Sequence, residues 1–252
     1  MLSLLRRRLR LATATSRWPV VPAPLIDRAQ PVFDAARCDL NGACARVCPV
    51  GAIGVDTRFA LDRARCISCS RCIEVCPTGA LALGLVFAAP ERTRSELIAP
   101  PTGVVARGEE LAAHVHRVLG RSLNVRHLDA GSCNGCDWEI NATTNAVHDI
   151  QRFGIDFVAS PRHADVLLVT GTVTRNLEIA ARRTYDAMSA PRLVVAVGAC
   201  AVSGSPYPTG YASGEGAASI LPVDVFIPGC PPRPEAIIEG LLLAVGRIVR
   251  AR

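Results

Sequence analysis

The chain contains no lysine; all 28 of its basic residues are arginine. A phosphate-binding Gly-x-x-x-x-Gly-Lys-Ser/Thr loop is therefore impossible. No Gly-x-Gly-x-x-Gly follows an expected strand either, so nucleotide binding has no support. No apolar run is long enough to cross a bilayer: the longest, Ala80 to Ala89, is half of the roughly 20 residues required. No acid precedes Asp27, whereas five arginines do (Arg6, Arg7, Arg8, Arg10 and Arg17). Removing those five from the net +6 leaves only +1 for everything else. A basic face for nucleic acid is thus not implied beyond the first two dozen residues. No motif frames a serine as a nucleophile beside a base, so no catalytic residue is expected on this chain.

What is abundant is cysteine. The count is eleven, and it is odd. With no secretory leader pattern, that argues against a disulfide scaffold. Seven of the cysteines lie between positions 38 and 76, two at 133 and 136, and one each at 200 and 230. A reduced chain with this grouping is expected to hold metal. Half of the 252 residues are apolar, enough for a sizeable core in one large domain or two small ones.

Four segments follow from the pattern. Residues 1–30 open with a basic, leucine-rich stretch, readable as a transit peptide, an interfacial amphipathic helix or a frayed terminus. Residues 31–87 hold two copies of a cysteine unit, 28 residues apart. Residues 88–121, broken by Pro90, Pro100 and Pro101, read as a linker closing on a short helix near Gly108–Leu119. His114 and His116 on that helix point to different faces and are expected at the surface. Residues 122–252 alternate between short apolar runs and helical patterns, which predicts an α/β domain with a parallel sheet. Its expected strands are Leu123–Leu128, Ile155–Ala159, Val166–Thr170, Leu193–Val197 and Val223–Ile227. Its expected helices are about Trp138–Phe153, Arg175–Met188 and Pro234–Val249.

The second cysteine copy is Cys66-x2-Cys69-x2-Cys72-x3-Cys76-Pro77. That spacing wraps three sulfurs around one iron–sulfur cube and sends the fourth to a neighbouring cluster. Structural zinc prefers pairs set apart by a longer loop. The first copy retains Cys38, Cys44 and Cys48 but has Asn41 at the second position. Crossed ligation gives one full set, Cys66, Cys69, Cys72 and Cys48. The other set, Cys38, Cys44 and Cys76, lacks a ligand. Three outcomes are open for it: a three-iron cluster, a four-iron cluster completed by Asp39, Asn41 or water, or an empty site.

The remaining cysteines, Cys133, Cys136, Cys200 and Cys230, all lie just past expected strand ends. That rim is where open α/β sheets bind cofactors. An iron–sulfur cluster and a zinc ion both remain open there. Glu139 can cap a helix N-terminus or relay protons. His127, His148 and His163 are expected to be packing or surface residues rather than ligands.

The stretches Gly120-Arg-Ser-Leu, Asp129-Ala-Gly-Ser-Cys-Asn-Gly-Cys136, Ser160-Pro-Arg-His-Ala-Asp-Val-Leu-Leu-Val-Thr-Gly171 and Pro222-Val-Asp-Val-Phe-Ile-Pro-Gly-Cys-Pro-Pro-Arg-Pro-Glu-Ala236 carry a family resemblance. So does Arg152-Phe-Gly-Ile155. They resemble the small, cluster-bearing subunit of group 4 [NiFe] hydrogenases, a family that includes the 20 kDa subunit of respiratory complex I. The resemblance implies a flavodoxin-like fold and a proximal [4Fe-4S] cluster on Cys133, Cys136, Cys200 and Cys230, beside a large catalytic subunit. Residues 1–84 resemble the two-cluster, ferredoxin-like subunit of the same complexes, including its N-terminal membrane-surface helix. The chain then reads as a fusion of two neighbouring subunits, an α+β ferredoxin-like domain followed by an α/β flavodoxin-like one. Tethering keeps successive clusters at high effective concentration.

Complex I's subunit uses adjacent cysteines at the first ligand pair. Two residues separate Cys133 from Cys136 here, which favours the hydrogenase branch. The function expected is electron transfer in a membrane-associated, formate hydrogenlyase-type complex, with a complex I-like quinone reductase subunit as the alternative and a structural zinc module as a third class. The partners implied are a hydrogenase-like or 49 kDa-like large subunit, membrane subunits, and an upstream donor subunit or ferredoxin. The expected location is the cytoplasmic face of a prokaryotic membrane, held peripherally.

Overall fold

The 28-residue repeat is visible in the backbone. The structure, a computed structural model, describes residues 14–16, 30–84, 90–98, 122–207 and 210–250. Strand β1 (Pro31–Phe33) pairs antiparallel with β4 (Leu81–Leu83), and β2 (Ile53–Val55) with β3 (Phe59–Leu61). Each strand of the second copy lies one repeat after its counterpart. So do the short helices α1 (Ala43–Val47) and α2 (Arg71–Glu74). Left-handed backbone recurs in register too: Leu40 with Ser68, Gly42 with Ser70, and Gly51 with Gly79. Leu40, Ser68 and Ser70 carry side chains in a region that costs roughly 1–2 kcal/mol outside glycine. Strain of this kind persists where surrounding structure enforces it, commonly at functional loops.

The second half is a five-stranded, all-parallel sheet. Its strands are β5 (Leu123–Asp129), β6 (Ile155–Phe157), β7 (Val166–Thr170), β8 (Leu193–Val197) and β9 (Val225–Ile227), in the order β6-β5-β7-β8-β9. Numbered by sequence this is 2-1-3-4-5, the flavodoxin-like order, with its topological switch between β5 and β7. All five residues of β7 and of β8 are buried, which explains their unbroken apolar runs. On one face Val166 and Leu168 pack with Ile237, Ile238 and Leu241 of α6 (Pro234–Arg250). On the other face Leu167 and Val169 meet Ala181 of α4 (Arg175–Asp186), and Ala201 and Val202 of α5 (Gly198–Ser203).

The long helix expected at Trp138–Phe153 is a correction. Helix α3 spans Gly135–Ala142, and a separate 3-10 turn covers Ile150–Phe153. Local side chains break the run. The Thr143 hydroxyl donates to the Ile140 carbonyl (2.6 Å) and that of Thr144 to the Asn141 carbonyl (2.8 Å). Asn145 Oδ1 then accepts from the Val147 and His148 amides. Short polar residues of this kind compete with the helix for its own backbone groups.

Part of the expected linker is packed structure. Glu91 forms an antiparallel bridge with Phe226, and Leu97 is fully buried in the 3-10 turn Arg94–Ile98. The basic N-terminal stretch up to residue 13 and the helix expected at Gly108–Leu119, with His114 and His116, lie outside the described residues. Among the described residues, no helix is long and apolar enough to cross a membrane.

The two halves touch through residues 62–65. Ala64 is fully buried in the second core face of the sheet domain, with Leu97, Ala201 and Val202. Arg63 is 1% exposed; its guanidinium bonds Glu91 Oε1 (2.9 Å) and the Glu96 carbonyl (2.8 Å). Arg94 pairs with Asp62 at 2.6 Å.

Candidate iron–sulfur sites

Three groups of thiols are brought together, each by a different piece of backbone. Cys48, Cys66, Cys69 and Cys72 line one hollow of about 350 Å³ between the two small sheets. Burial pushes the Cys66 thiol up to about 11 and that of Cys72 up to about 12, with neighbouring thiols adding to both. The Cys48 sulfur accepts from the Ala52 amide (3.2 Å) and the Cys66 sulfur from that of Ser68 (3.5 Å). Such amide–sulfur bonds stabilise thiolates and tune cluster potentials.

Cys38, Cys44 and Cys76 line a second hollow of about 310 Å³, together with Asp39 and Asn41. Asn41 occupies the place that Cys69 holds in the other copy. Its amide oxygen accepts from the Ala43 amide (2.8 Å) at the mouth of α1, and its Nδ2 donates to Asp39 Oδ1 (2.6 Å). The left-handed turn therefore survives with asparagine in the ligand position. The Cys44 thiol is raised by burial, and Cys76 and Cys38 add to the effect.

The third group sits on the rim of the parallel sheet. The Asp129 carboxylate at the end of β5 accepts from the Gly131 and Ser132 amides (2.9 and 2.8 Å), turning the chain sharply. Asn134 in left-handed conformation then starts α3, so Cys133 is exposed while Cys136 is buried in the first turn. Cys200 is buried in α5 directly after β8, and Cys230 follows β9. The Cys136 thiol is raised strongly by burial, then by Cys200, Cys230 and Cys133. Burial likewise lifts Cys200 to about 12, and Cys230 and Cys133 add to it. Gly198, at φ +86, is required here. A Cβ on it would stand 2.5 Å from the Cys136 sulfur.

The chemistry of these donor sets fits iron–sulfur clusters. Neutral thiols crowded in buried pockets release protons only to a strongly charged metal centre, which couples metal uptake to deprotonation. Among the described residues, no three His, Cys, Asp or Glu side chains meet at the point a single ion would occupy. The thiols instead surround hollows.

One feature of the rim was not legible from spacing. Asp137, beside Cys136, accepts from the Thr170 hydroxyl (2.9 Å) with one oxygen and from the Ser132 hydroxyl with the other. His127 Nε2 lies 2.8 Å from the same carboxylate. Burial holds His127 below its ordinary value, and the Asp137 charge partly opposes that. His127 is thus no free surface group but part of a clamp on the cysteine loop. His163 is exposed, and His148 is half-buried, 4.0 Å from Glu235. Glu139 lies in the second turn of α3, which excludes the N-terminal cap; Asp137 is the acid of the first turn.

Comparison with known proteins follows the same division. The family of the 20 kDa subunit of NADH ubiquinone oxidoreductase matches residues 133–244, and that of the 4Fe-4S dicluster domain matches 37–80. A probable membrane-bound hydrogenase subunit of Pyrococcus furiosus is 44% identical over 144 residues, 57% of this chain and 86% of that one. Formate hydrogenlyase subunit 7 of Escherichia coli is 43% identical over 136 residues, 54% of this chain and 53% of its own length. The chain therefore spans only about half of that relative. A subunit of the NADH-quinone oxidoreductase of Rhizobium etli is 48% identical over 117 residues, 46% of this chain and 70% of that one.

Proposed function

The chain belongs to the family of the 20 kDa subunit of NADH ubiquinone oxidoreductase, joined to a 4Fe-4S dicluster domain, and from that premise we propose that it wires a formate hydrogenlyase-type, hydrogenase-like complex. Its role as an electron-transfer component of an oxidoreductase complex follows from the family; the specific complex is our reading. When bound, the clusters supply one-electron carriers that need no bond-breaking chemistry from this chain.

The residues divide into three sets. Cys133, Cys136, Cys200 and Cys230 would hold the proximal [4Fe-4S] cluster, next to the active site of a hydrogenase-like or 49 kDa-like large subunit. Cys66, Cys69, Cys72 and Cys48 would hold a second. Cys38, Cys44 and Cys76 would hold the third, incomplete one. Asn41 already spends its amide oxygen on Ala43. Asp39 lines the same hollow, and both bonds it accepts from Asn41 fall on Oδ1, so Asp39 is the better fourth donor. The observation carrying this reading is the gathering of Cys133, Cys136, Cys200 and Cys230 on one sheet rim, with two residues separating the first pair.

The basic residues before Asp27 would face anionic lipid on the cytoplasmic side, holding the chain peripherally against membrane subunits. An upstream donor subunit or a ferredoxin would deliver electrons to residues 31–84. The identity with a quinone oxidoreductase chain supports one competing reading, delivery to quinone. Co-purification separates the two: two Cys-x2-Cys pairs in the large subunit indicate nickel–iron, and their absence favours quinone. Iron and sulfide analysis tests the cluster assignment. The expected content is two complete cubes plus a smaller complement at the third site, rising to three cubes in the Asn41→Cys variant. A colourless, zinc-containing protein sinks the reading.

A further inference from the structure

Three consecutive carbonyls immediately before Cys66 are each captured by a distant side chain. Gln30 Nε2 donates to the Arg63 carbonyl (3.0 Å). The Ser203 hydroxyl donates to that of Ala64 (3.0 Å) and the Ser205 hydroxyl to that of Arg65 (2.9 Å). Ser203 ends α5, the helix that carries Cys200, and Ser205 follows it through Gly204. Ser205 is only 6% exposed and Ala64 is fully buried. Around these bonds Ala64 packs with Ala201 and Val202, the residues between Cys200 and Ser203.

The same few residues therefore join two thiol groups. Cys200 is fixed to Ser203 within one short helix. Ala64 and Arg65 are fixed to Cys66 by covalent chain. The two hydroxyls close the gap between them. A buried carbonyl needs some partner in any fold, but the partners here come from the element holding the other site.

We propose that Ser203 and Ser205 are positioning residues that hold the Cys48/Cys66/Cys69/Cys72 site at a fixed separation from the rim site. The proposal rests on the cluster assignment above. Neither serine touches a cysteine ligand, so neither acts on a cluster directly. They act through Ala64 and Arg65 on the loop that begins at Cys66, and through α5 on Cys200. Rotation of that loop would change the gap electrons must cross while leaving each site's own ligands intact.

The test uses the complete complex with the double variant S203A/S205A and its conservative counterpart S203T/S205T, which retains both hydroxyls. The readouts are iron and sulfide content, the EPR spectrum of each reduced cluster, and the dipolar splitting between the rim cluster and its neighbour. The expected result for the alanine variant is full iron, unchanged individual g-values, and loss or broadening of the splitting with slower electron exchange between the two. The threonine variant should restore both. An alanine variant with wild-type splitting and wild-type exchange overturns the proposal. Should the double variant lose iron, the single variants S203A and S205A are read the same way, each leaving one anchor. Absence of iron–sulfur signals in the wild type would instead strike the cluster assignment, a separate failure.

Discussion

The two thiol-rich halves keep their cysteines in place by opposite means. In residues 31–84 the buried core is Ala52, Ile53, Leu61, Cys66, Cys72 and Leu81, so the candidate ligands are themselves part of what is buried. Each sheet there is a pair of three-residue strands, too small to stand alone in water. In the sheet domain the core runs along both faces of five strands, and the thiols sit on its edge. A site made this way is carried by a fold that does not need it. A site of the first kind is a staple, and small scaffolds commonly need one.

The sharpest way to break this contrast is to remove the iron. Chelation of the holoprotein should abolish hydrogen-exchange protection across residues 38–48 and 66–76, while β5 to β9 stay protected. Equal loss in both halves would show that the sheet, too, is folded by its metal. The converse experiment is Leu168→Ala, at a fully buried position of β7. It should cost the sheet about 2–5 kcal/mol, read as reduced protection of β5 to β9. Protection of residues 38–76 should be unchanged; a drop there would mean that the halves unfold as one unit.

Asp137→Ala attacks the rim alone. It removes the acceptor shared by Ser132 and Thr170, at a local cost of about 1.5–3 kcal/mol for a charged hydrogen-bonded group. The rim EPR signal should weaken while the signals of residues 31–84 stay constant. Loss of every signal together would contradict the independence of the two halves.

The smallest effect lies at the seam. Glu239 on α6 is raised to about 7, first by burial and then by the charge of Glu91. An unfolded glutamate titrates near 4.3. Between those values the folded state binds the extra proton, so this group's contribution to stability falls as pH rises through that window. Glu239→Gln should therefore stabilise the protein above neutral pH by on the order of 2 kcal/mol, discounted for its partial exposure. Denaturant midpoints at pH 5 and pH 8 measure it; a variant that is less stable at pH 8 refutes the sign.

Local pattern carried much of this into view. β7 and β8 coincide with the apolar runs read from sequence, because burial on both faces leaves no polar position to blur their ends. The grouping of cysteines followed from spacing and strand ends. Two other features did not. The break in the helix at Thr143 depends on side chains competing for backbone carbonyls, which apolar periodicity does not record. The bonds from Ser203 and Ser205 to Ala64 and Arg65 span about 140 residues, and serine is too common to announce such a pairing. The clamp of His127 on Asp137 is of the same kind, joining a strand to a helix across a loop.

The duplicated unit has one consequence of a different sort. A perfect repeat of two cysteine loops has pseudo-symmetry, and its two ends are interchangeable. Here both ends are marked. One copy has Asn41 where the other has Cys69, and only the second copy is preceded by three captured carbonyls. The symmetry is thus broken twice, by composition at one end and by attachment at the other. The module has a front and a back, and it can be mounted on the sheet domain in one orientation alone.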